Sequence, residues 1–391
     1  MPDVALLGLV LVAIVIGYSL GWCDQKRRRA DGSRQLSKDY FVGLNYLINE
    51  QTDEAIDVFI KALNVNDDTV DTYLALGSLF SRRGEVEKSI RFHQDLLARP
   101  SLTSTQSFQV QLALAQDYFF AGLLDRAESI LIGLSCQNHE LLDQALQQLL
   151  RVYEQEREWE KAADVAERLR RTCGEYFAEI LAHYYCEQCE IALGQNDRMI
   201  ARRLIRQAFA RDKNSVRASL LLGQMEFDQG SYKEAIKVLQ RISVQDISFM
   251  PLSLPLLEKS FELTGSLRGF GAHLGRCLNE RPGTAIIIAM TRLLIKESGE
   301  FQAVNFLTAQ LERHPTLKGL NELIDLQRRF QGDDLQDNVL ALIHRLMDRM
   351  VELKPVFSCG RCGFSGKKMH WQCPSCHNWG VVSPIQGFEG E

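Results

Sequence analysis

The sequence predicts an all-α chain in three parts: an N-terminal transmembrane helix, a superhelix of repeated helical pairs, and a small C-terminal knuckle domain holding a metal on four cysteines. Three observations carry this prediction. Val4 to Cys23 is a run of 20 residues without a charge, a pair of small residues 12 positions apart recurs along the middle of the chain, and two Cys-x2-Cys pairs close the sequence. The composition agrees. At 391 residues, 46% hydrophobic and 24% charged, the chain buries a large core, which excludes intrinsic disorder as its main state. Only 9 prolines interrupt it, as suits long helices, because proline lacks the N–H a helix interior needs. A net charge of −5 leaves no global positive field, so no nucleic-acid partner is expected.

The N-terminal run, through Leu6, Leu7, Leu9, Val10, Leu11, Val12, Ile14, Val15 and Ile16, is long enough to cross the hydrocarbon of a bilayer, about 30 Å at 1.5 Å per helical residue. Lys26, Arg27, Arg28, Arg29, Arg34 and Lys38 follow it, whereas Asp3 precedes it. Positive charge resists translocation, so residues 1–23 are expected to anchor the chain in the membrane, with everything beyond about residue 23 on the cytoplasmic side. A secretory signal would carry its basic residues first and a small-residue cleavage site afterwards, and neither occurs. Residues 24–35 form a basic juxtamembrane linker. Gly17 and Gly21, as a Gly-x3-Gly pair, leave self-association of the anchor open.

Residues 36–244 repeat. Tyr73-x2-Leu76-Gly77-x2-Phe80, followed by Ser89, matches the tetratricopeptide pattern of an aromatic residue, Leu-Gly, a second aromatic and a later small residue. The first-helix position of this frame is Gly43, Gly77, Ala115, Leu150, Cys189 and Gly223, and the second-helix position is Ala55, Ser89, Ala127, Ala162, Ala201 and Ala235. Two antiparallel helices cannot bury their apolar faces alone, so pairs stack, and small residues sit where helices approach most closely. Gly84, Gly122 and Gly230 mark turns between paired helices. From residue 245 to 354 the consensus fades into degenerate hairpins around Glu258-x2-Phe261, Ala289-x3-Leu293 and Leu320-x2-Leu323. A last helix carries Val339, Leu342, Ile343, Leu346, Met350 and Leu353 on one stripe before Pro355.

The tail, residues 355–391, reads Cys359-Gly-Arg-Cys362-Gly-Phe and then Cys373-Pro-Ser-Cys376-His, with ten residues between Cys362 and Cys373. Two such knuckles facing each other supply four thiolates in a tetrahedron, the geometry of one zinc or iron ion. The metal ligands are therefore Cys359, Cys362, Cys373 and Cys376, with His370 and His377 outside a shell that four sulfurs already fill. So short a segment has too little core to fold unaided, which couples metal binding to folding. Trp371, Trp379, Phe357 and Phe364 give it an apolar side expected to pack on the end of the array. His183, Cys186 and Cys189 look like a second ligand set, but on the repeat frame they lie in one helix and read as packing residues. Scattered carboxylates on the repeats read as solvated helix faces. No phosphate-loop, dinucleotide-binding, nucleophile-elbow or zinc-protease motif occurs, so no catalytic residue is predicted and the chain reads as a non-enzyme.

Anchor, array and knuckle pair in this order resemble the lipopolysaccharide assembly protein B family, most particularly in Cys359-Gly-Arg-Cys362-Gly-Phe through His370-Trp371-Gln-Cys373-Pro-Ser-Cys376, with Trp379 after it. The resemblance covers essentially the whole chain. It implies an inner-membrane regulator with a rubredoxin-like metal-binding domain that links the membrane protease FtsH to degradation of the deacetylase LpxC and associates with other lipopolysaccharide assembly proteins. A homo-oligomer stays open. The alternative reading of the tail is a membrane-anchored redox protein, because rubredoxin-like iron sites carry electrons.

Overall fold

A computed structural model describes residues 70–388, apart from 101, 137–139, 175 and 332–336, together with positions 42, 45, 46 and 58. The apolar run Val4 to Cys23, the basic linker, and Gly43 and Ala55 of the first repeat lie outside the described residues. Among the described residues, no helix is long and apolar enough to cross a membrane. The chain divides into two compact units, Met1–Val152 and Tyr153–Glu391.

In the first unit α1 (Val70–Arg82), α2 (Val86–Leu97), α3 (Ser104–Phe120) and α4 (Leu124–Ser135) follow one another, and α5 (Leu142–Glu156) continues into the second. Val70, Tyr73, Leu76 and Phe80 of α1 form a core with Leu96 of α2 and Val110 of α3. The frame's small residues act as expected here. A Cβ on Gly77 would stand 2.2 Å from His93 Nε2, so the imidazole of α2 occupies space that only glycine leaves free. Ser89 Oγ lies 2.8 Å from Gly77 O and 2.7 Å from the buried Asp117 carboxylate, which also meets His93 Nδ1 at 2.6 Å. Helix α3 starts on a capping box, in which Thr103 and Gln106 each satisfy the other's backbone N–H.

The second unit continues with α6 (Trp159–Cys173), α7 (Tyr176–Gly194), α8 (Arg198–Arg211), α9 (Val216–Asp228), α10 (Tyr232–Gln240) and the short α11 (Ile242–Gln245). After a 3-10 turn at Ile247–Phe249 come α12 (Met250–Leu263), α13 (Leu267–Glu280), α14 (Thr284–Ser298), α15 (Glu300–Arg313), α16 (Leu317–Gln331) and α17 (Asp337–Leu353). Ala162, Cys189, Ala201 and Ala235 of the repeat frame are fully covered. A Cβ on Gly223 would lie 2.4 Å from Leu239 Cδ2, so α9 and α10 meet there as closely as α1 and α2 do at Gly77. On α17 the predicted stripe does not disappear into a core: Leu342, Ile343, Leu346, Met350 and Leu353 stay exposed.

The turns are more regular than the glycines suggested. The seventh residue after the first-helix position has positive φ in each described repeat: Gly84 (82°), Gly122 (74°), Arg157 (59°), Asn196 (61°) and Gly230 (76°). The next N–H returns to a carbonyl five residues back, at 2.9 Å from Glu85 to Phe80, Leu123 to Tyr118, Glu158 to Tyr153, Asp197 to Ala192 and Ser231 to Glu226. This is the closure that satisfies the last carbonyls of a helix. Arg157 and Asn196 therefore perform a glycine's task, and the fading consensus keeps the device at Gly265 (65°) with Ser266 N–H to Phe261 O at 3.0 Å.

Residues after Pro355 form a three-stranded antiparallel sheet, order β2-β1-β3, from β1 (Phe357–Cys359), β2 (Ser365–Gly366) and β3 (Val382–Pro384). This small sheet in an otherwise helical chain was not expected from the sequence. It follows from the first knuckle, which reverses the strand so that Phe357 pairs with Gly366 on one side and Pro384 on the other.

Candidate metal centre

Each knuckle turns its two sulfurs inward by the same backbone route. Gly363 N–H donates to Cys359 O at 3.1 Å, and His377 N–H donates to Cys373 O at 2.9 Å. Both residues sit at positive φ, 77° for Gly363 and 54° for His377. His377 is thus the left-handed residue of the second knuckle, and its backbone explains its position without any ligand role. Arg361 N–H points at Cys359 Sγ from 3.4 Å, as expected of a loop that stabilises a thiolate.

The four sulfurs of Cys359, Cys362, Cys373 and Cys376 all lie within 4.8 Å of one another, with Cys359 to Cys376 at 3.8 Å and Cys362 to Cys373 at 3.6 Å. Metal–sulfur bonds of about 2.3 Å directed to the corners of a tetrahedron place the sulfurs about 3.8 Å apart. The donor set therefore fits one tetrahedral ion, and these residues can hold it. Hydrogen bonding from Asn378 draws the Cys376 thiol down to about 6, while burial pushes Cys373 up to about 11. Cys373 and Cys359 are buried and Cys362 is exposed, so one edge of the cluster faces solvent. Phe357, Cys359, Cys373 and Val382 make the module's own core, with Phe364 against it.

The two tryptophans face the other way, onto the helices of the second unit. Trp371 packs where the recognisable repeats end, on α9 and the 3-10 turn that follows them, whereas Trp379 lies further inside the array than the sequence suggested, on α6, α7 and the last turn of α5. The Trp379 ring lies 5.8 Å from Trp159, 5.6 Å from Tyr184 and 5.3 Å from His183, centroid to centroid. Its indole Nε1–H donates to Glu154 Oε1 at 2.7 Å, and the Tyr184 hydroxyl donates to the same oxygen at 2.5 Å. Gln372 Nε2 reaches Glu154 Oε2 at 3.4 Å. By sequence Glu154 reads as one of the solvated carboxylates of the repeats; the structure makes it the polar anchor of the dock. Burial, with the Glu154 carboxylate beside it, holds the Tyr184 phenol well above its ordinary range.

Trp371 stacks on Phe249 at 5.7 Å, and Arg217 lies 5.8 Å above its ring. Arg217 is only 3% exposed, yet it bonds Glu187 Oε1 at 2.8 Å and Glu190 Oε1 at 2.7 Å. Burial opposes its charge, but Glu190 and Glu187 outweigh burial and raise its pKa. Between the two indoles stands His183, whose imidazole burial and the Arg217 charge push down to about 3. Cys186 and Cys189 are covered, and burial raises each thiol to about 12, in keeping with packing residues. Among the described residues, the four tail cysteines are the one group placed to share an ion. No sequence pattern marked Glu154, Arg217 or Phe249, because their partners lie in a distant part of the chain.

Tetratricopeptide repeat families match residues 72–103 and 188–246, and a family described as "Rubredoxin metal binding domain" matches residues 357–384. A solved tetratricopeptide repeat protein from Parabacteroides merdae is similar at 13% identity and a TM-score of 0.33, over 66% of this chain and 98% of that one. Lipopolysaccharide assembly protein B of Haemophilus influenzae is 30% identical over 97% of this chain and 98% of its own length. The protein of the same name from Escherichia coli is 34% identical over 98% of each chain. With 34% identity over 98% of each chain, this chain belongs to the lipopolysaccharide assembly protein B family.

Proposed function

We propose that this chain is a non-enzymatic adaptor of the inner membrane in lipopolysaccharide assembly, coupling the protease FtsH to degradation of the deacetylase LpxC. Val4 to Cys23 anchors it, residues beyond about 23 lie in the cytoplasm, and the repeats hold one or both partners, together with other lipopolysaccharide assembly proteins. Confinement to the membrane raises the effective concentration of the captured enzyme at the protease without any new contact. Cys359, Cys362, Cys373 and Cys376 hold one iron or zinc ion, whose part is to fold the module.

The observation that carries this reading is the use of the module's aromatic face. Trp371 and Trp379 are occupied by Phe249, Arg217, His183, Tyr184 and Glu154 of the same chain, so the metal supports a fixed surface of helices and module. Affinity capture from detergent-solubilised membranes tests it, comparing the intact chain with Cys373→Ser. The protease and the deacetylase should co-purify with the intact chain and be lost from the variant; recovery of neither with the intact chain refutes the adaptor. For the anchor, LpxC half-life is measured in cells expressing residues 24–391. It should lengthen, and an unchanged short half-life rules out a need for the membrane.

A further inference from the structure

Away from the metal centre, a cavity of about 520 Å3 opens where three segments of the second unit converge. The α13–α14 connection brings Arg281 and Thr284, the α15–α16 connection brings Arg313 and His314, and the tail after β3 brings Gln386 and Phe388. Phe388 O accepts a hydrogen bond from Leu317 N–H at 3.1 Å, which fastens the tail along one wall. The wall is polar and basic. No aspartate or glutamate lines it, and among the described residues none of Arg281, Arg313 and His314 forms an ion pair.

Several arginines of the unit are held by carboxylates of the chain itself. Arg202 pairs with Glu226, Arg211 with Glu167, Arg217 with Glu187 and Glu190, Arg292 with Glu322 and Arg329 with Asp325. At the cavity, by contrast with those pairs, the exposed Arg281, Arg313 and His314 line one hollow whose lining holds no carboxylate. Thr284 also opens α14 at this wall, after Gly283, which has no side chain to cap the first amides, so N–H donors add to the cationic ones.

We infer that this cavity binds a phosphate group, carried by a small phosphorylated metabolite or by a phospholipid headgroup. Guanidinium forks match the oxygens of a phosphate pairwise, and the hydroxyl, imidazole and amides supply donors for the remaining ones. The volume lies in the range of small-ligand sites, about 300–1,000 Å3, which leaves room for a sugar-sized group beside the phosphate. The site is separate from the metal and from the adaptor role, and stands without either.

Calorimetric titration of the full chain in detergent, with inorganic phosphate, glucose 1-phosphate and dihexanoyl phosphatidic acid, tests the inference. It is repeated on the Arg281→Gln/Arg313→Gln double variant and on Arg292→Gln, whose arginine is paired outside the cavity. Losing two charged donors should weaken binding by about 30-fold or more, while Arg292→Gln binds as the parent does. Unchanged helical circular dichroism and metal content show that the double variant is folded. Phosphatidic acid binding tenfold more tightly than glucose 1-phosphate assigns the site to a headgroup, and the reverse order assigns it to a soluble metabolite. Absence of binding by the parent chain up to about 1 mM, or equal binding by the double variant, overturns the inference.

Discussion

The repeat array and the metal module solve the same problem, too little core per segment, by opposite means. Each hairpin of the array borrows its core from the next, and the joints are many and alike: Gly77 under His93, Gly223 under Leu239, and left-handed closures at Gly84, Gly122, Arg157, Asn196 and Gly230. Stability there is spread over nearest neighbours. The module concentrates it. One tetrahedron of sulfurs folds some thirty residues, and one carboxylate, Glu154, takes hydrogen bonds from Trp379, Tyr184 and Gln372 to seat them. The difference teaches where damage stays local and where it spreads.

The largest test of that contrast is removal of the metal site. Structural four-cysteine sites gain on the order of 10 kcal/mol from the ion, so Cys373→Ser, or a strong chelator, should unfold the module outright. The helices should largely survive. Far-UV circular dichroism with tryptophan fluorescence separates the two, and a collapse of helicity along the whole chain would show that the array depends on the ion.

Next comes the dock. Glu154→Ala leaves the Trp379 indole N–H and the Tyr184 hydroxyl without their acceptor and should cost about 3 kcal/mol of docking stability, at roughly 1–3 kcal/mol for each stranded group. Proteolysis of the tail, with metal content measured alongside, reads this. A tail as protected as in the parent would move the anchor elsewhere. Acid acts on the same joint through His183. Its folded value of about 3 lies below the ordinary 6.5, so the unfolded state binds the proton first. Stability is therefore complete above about pH 6.5 and falls by about 1.4 kcal/mol per unit as the pH drops towards 3. His183→Gln should flatten that slope between pH 7 and 5.5, where the difference amounts to about 1–2 kcal/mol. Parallel slopes for parent and variant would remove His183 from the acid response.

In the array, Gly77→Ala should cost about 1–3 kcal/mol, because the added Cβ meets the His93 ring at 2.2 Å. Hydrogen exchange should quicken in α1 and α2 and stay unchanged in the module; acceleration in the tail would contradict nearest-neighbour stability. The smallest effect is a gain shared by both regions. Arg157 and His377 each hold a left-handed backbone with a side chain, so Arg157→Gly and His377→Gly should each stabilise their own region by about 1 kcal/mol. Thermal melts of the two variants, followed by helicity for one and metal release for the other, measure this.

How much of this was legible in the sequence depends on how local the cause is. The repeat frame was legible because a 12-residue offset is a property of one hairpin, and the four cysteines because a knuckle needs only its own few residues. Arg157 and Asn196 are not legible as turn closers from residue type, since neither is glycine; their equivalent position in the frame is the better signal. The sheet in the tail was missed because its strands are two or three residues long and leave no alternation to read.

The sequence by itself thus determined the helical pairs, their small-residue joints and the sulfur tetrahedron, all consequences of spacing along a few dozen residues. Only the tertiary structure decided where the module sits and what Glu154, His183 and Arg217 are for. Glu154 meets Trp379 across 225 positions of chain and Gln372 across 218. A carboxylate on a helix face looks the same in sequence whether it faces water or an indole N–H. What distinguishes the two is the surface that folding brings against it, and that surface is set by the packing of every helix between them.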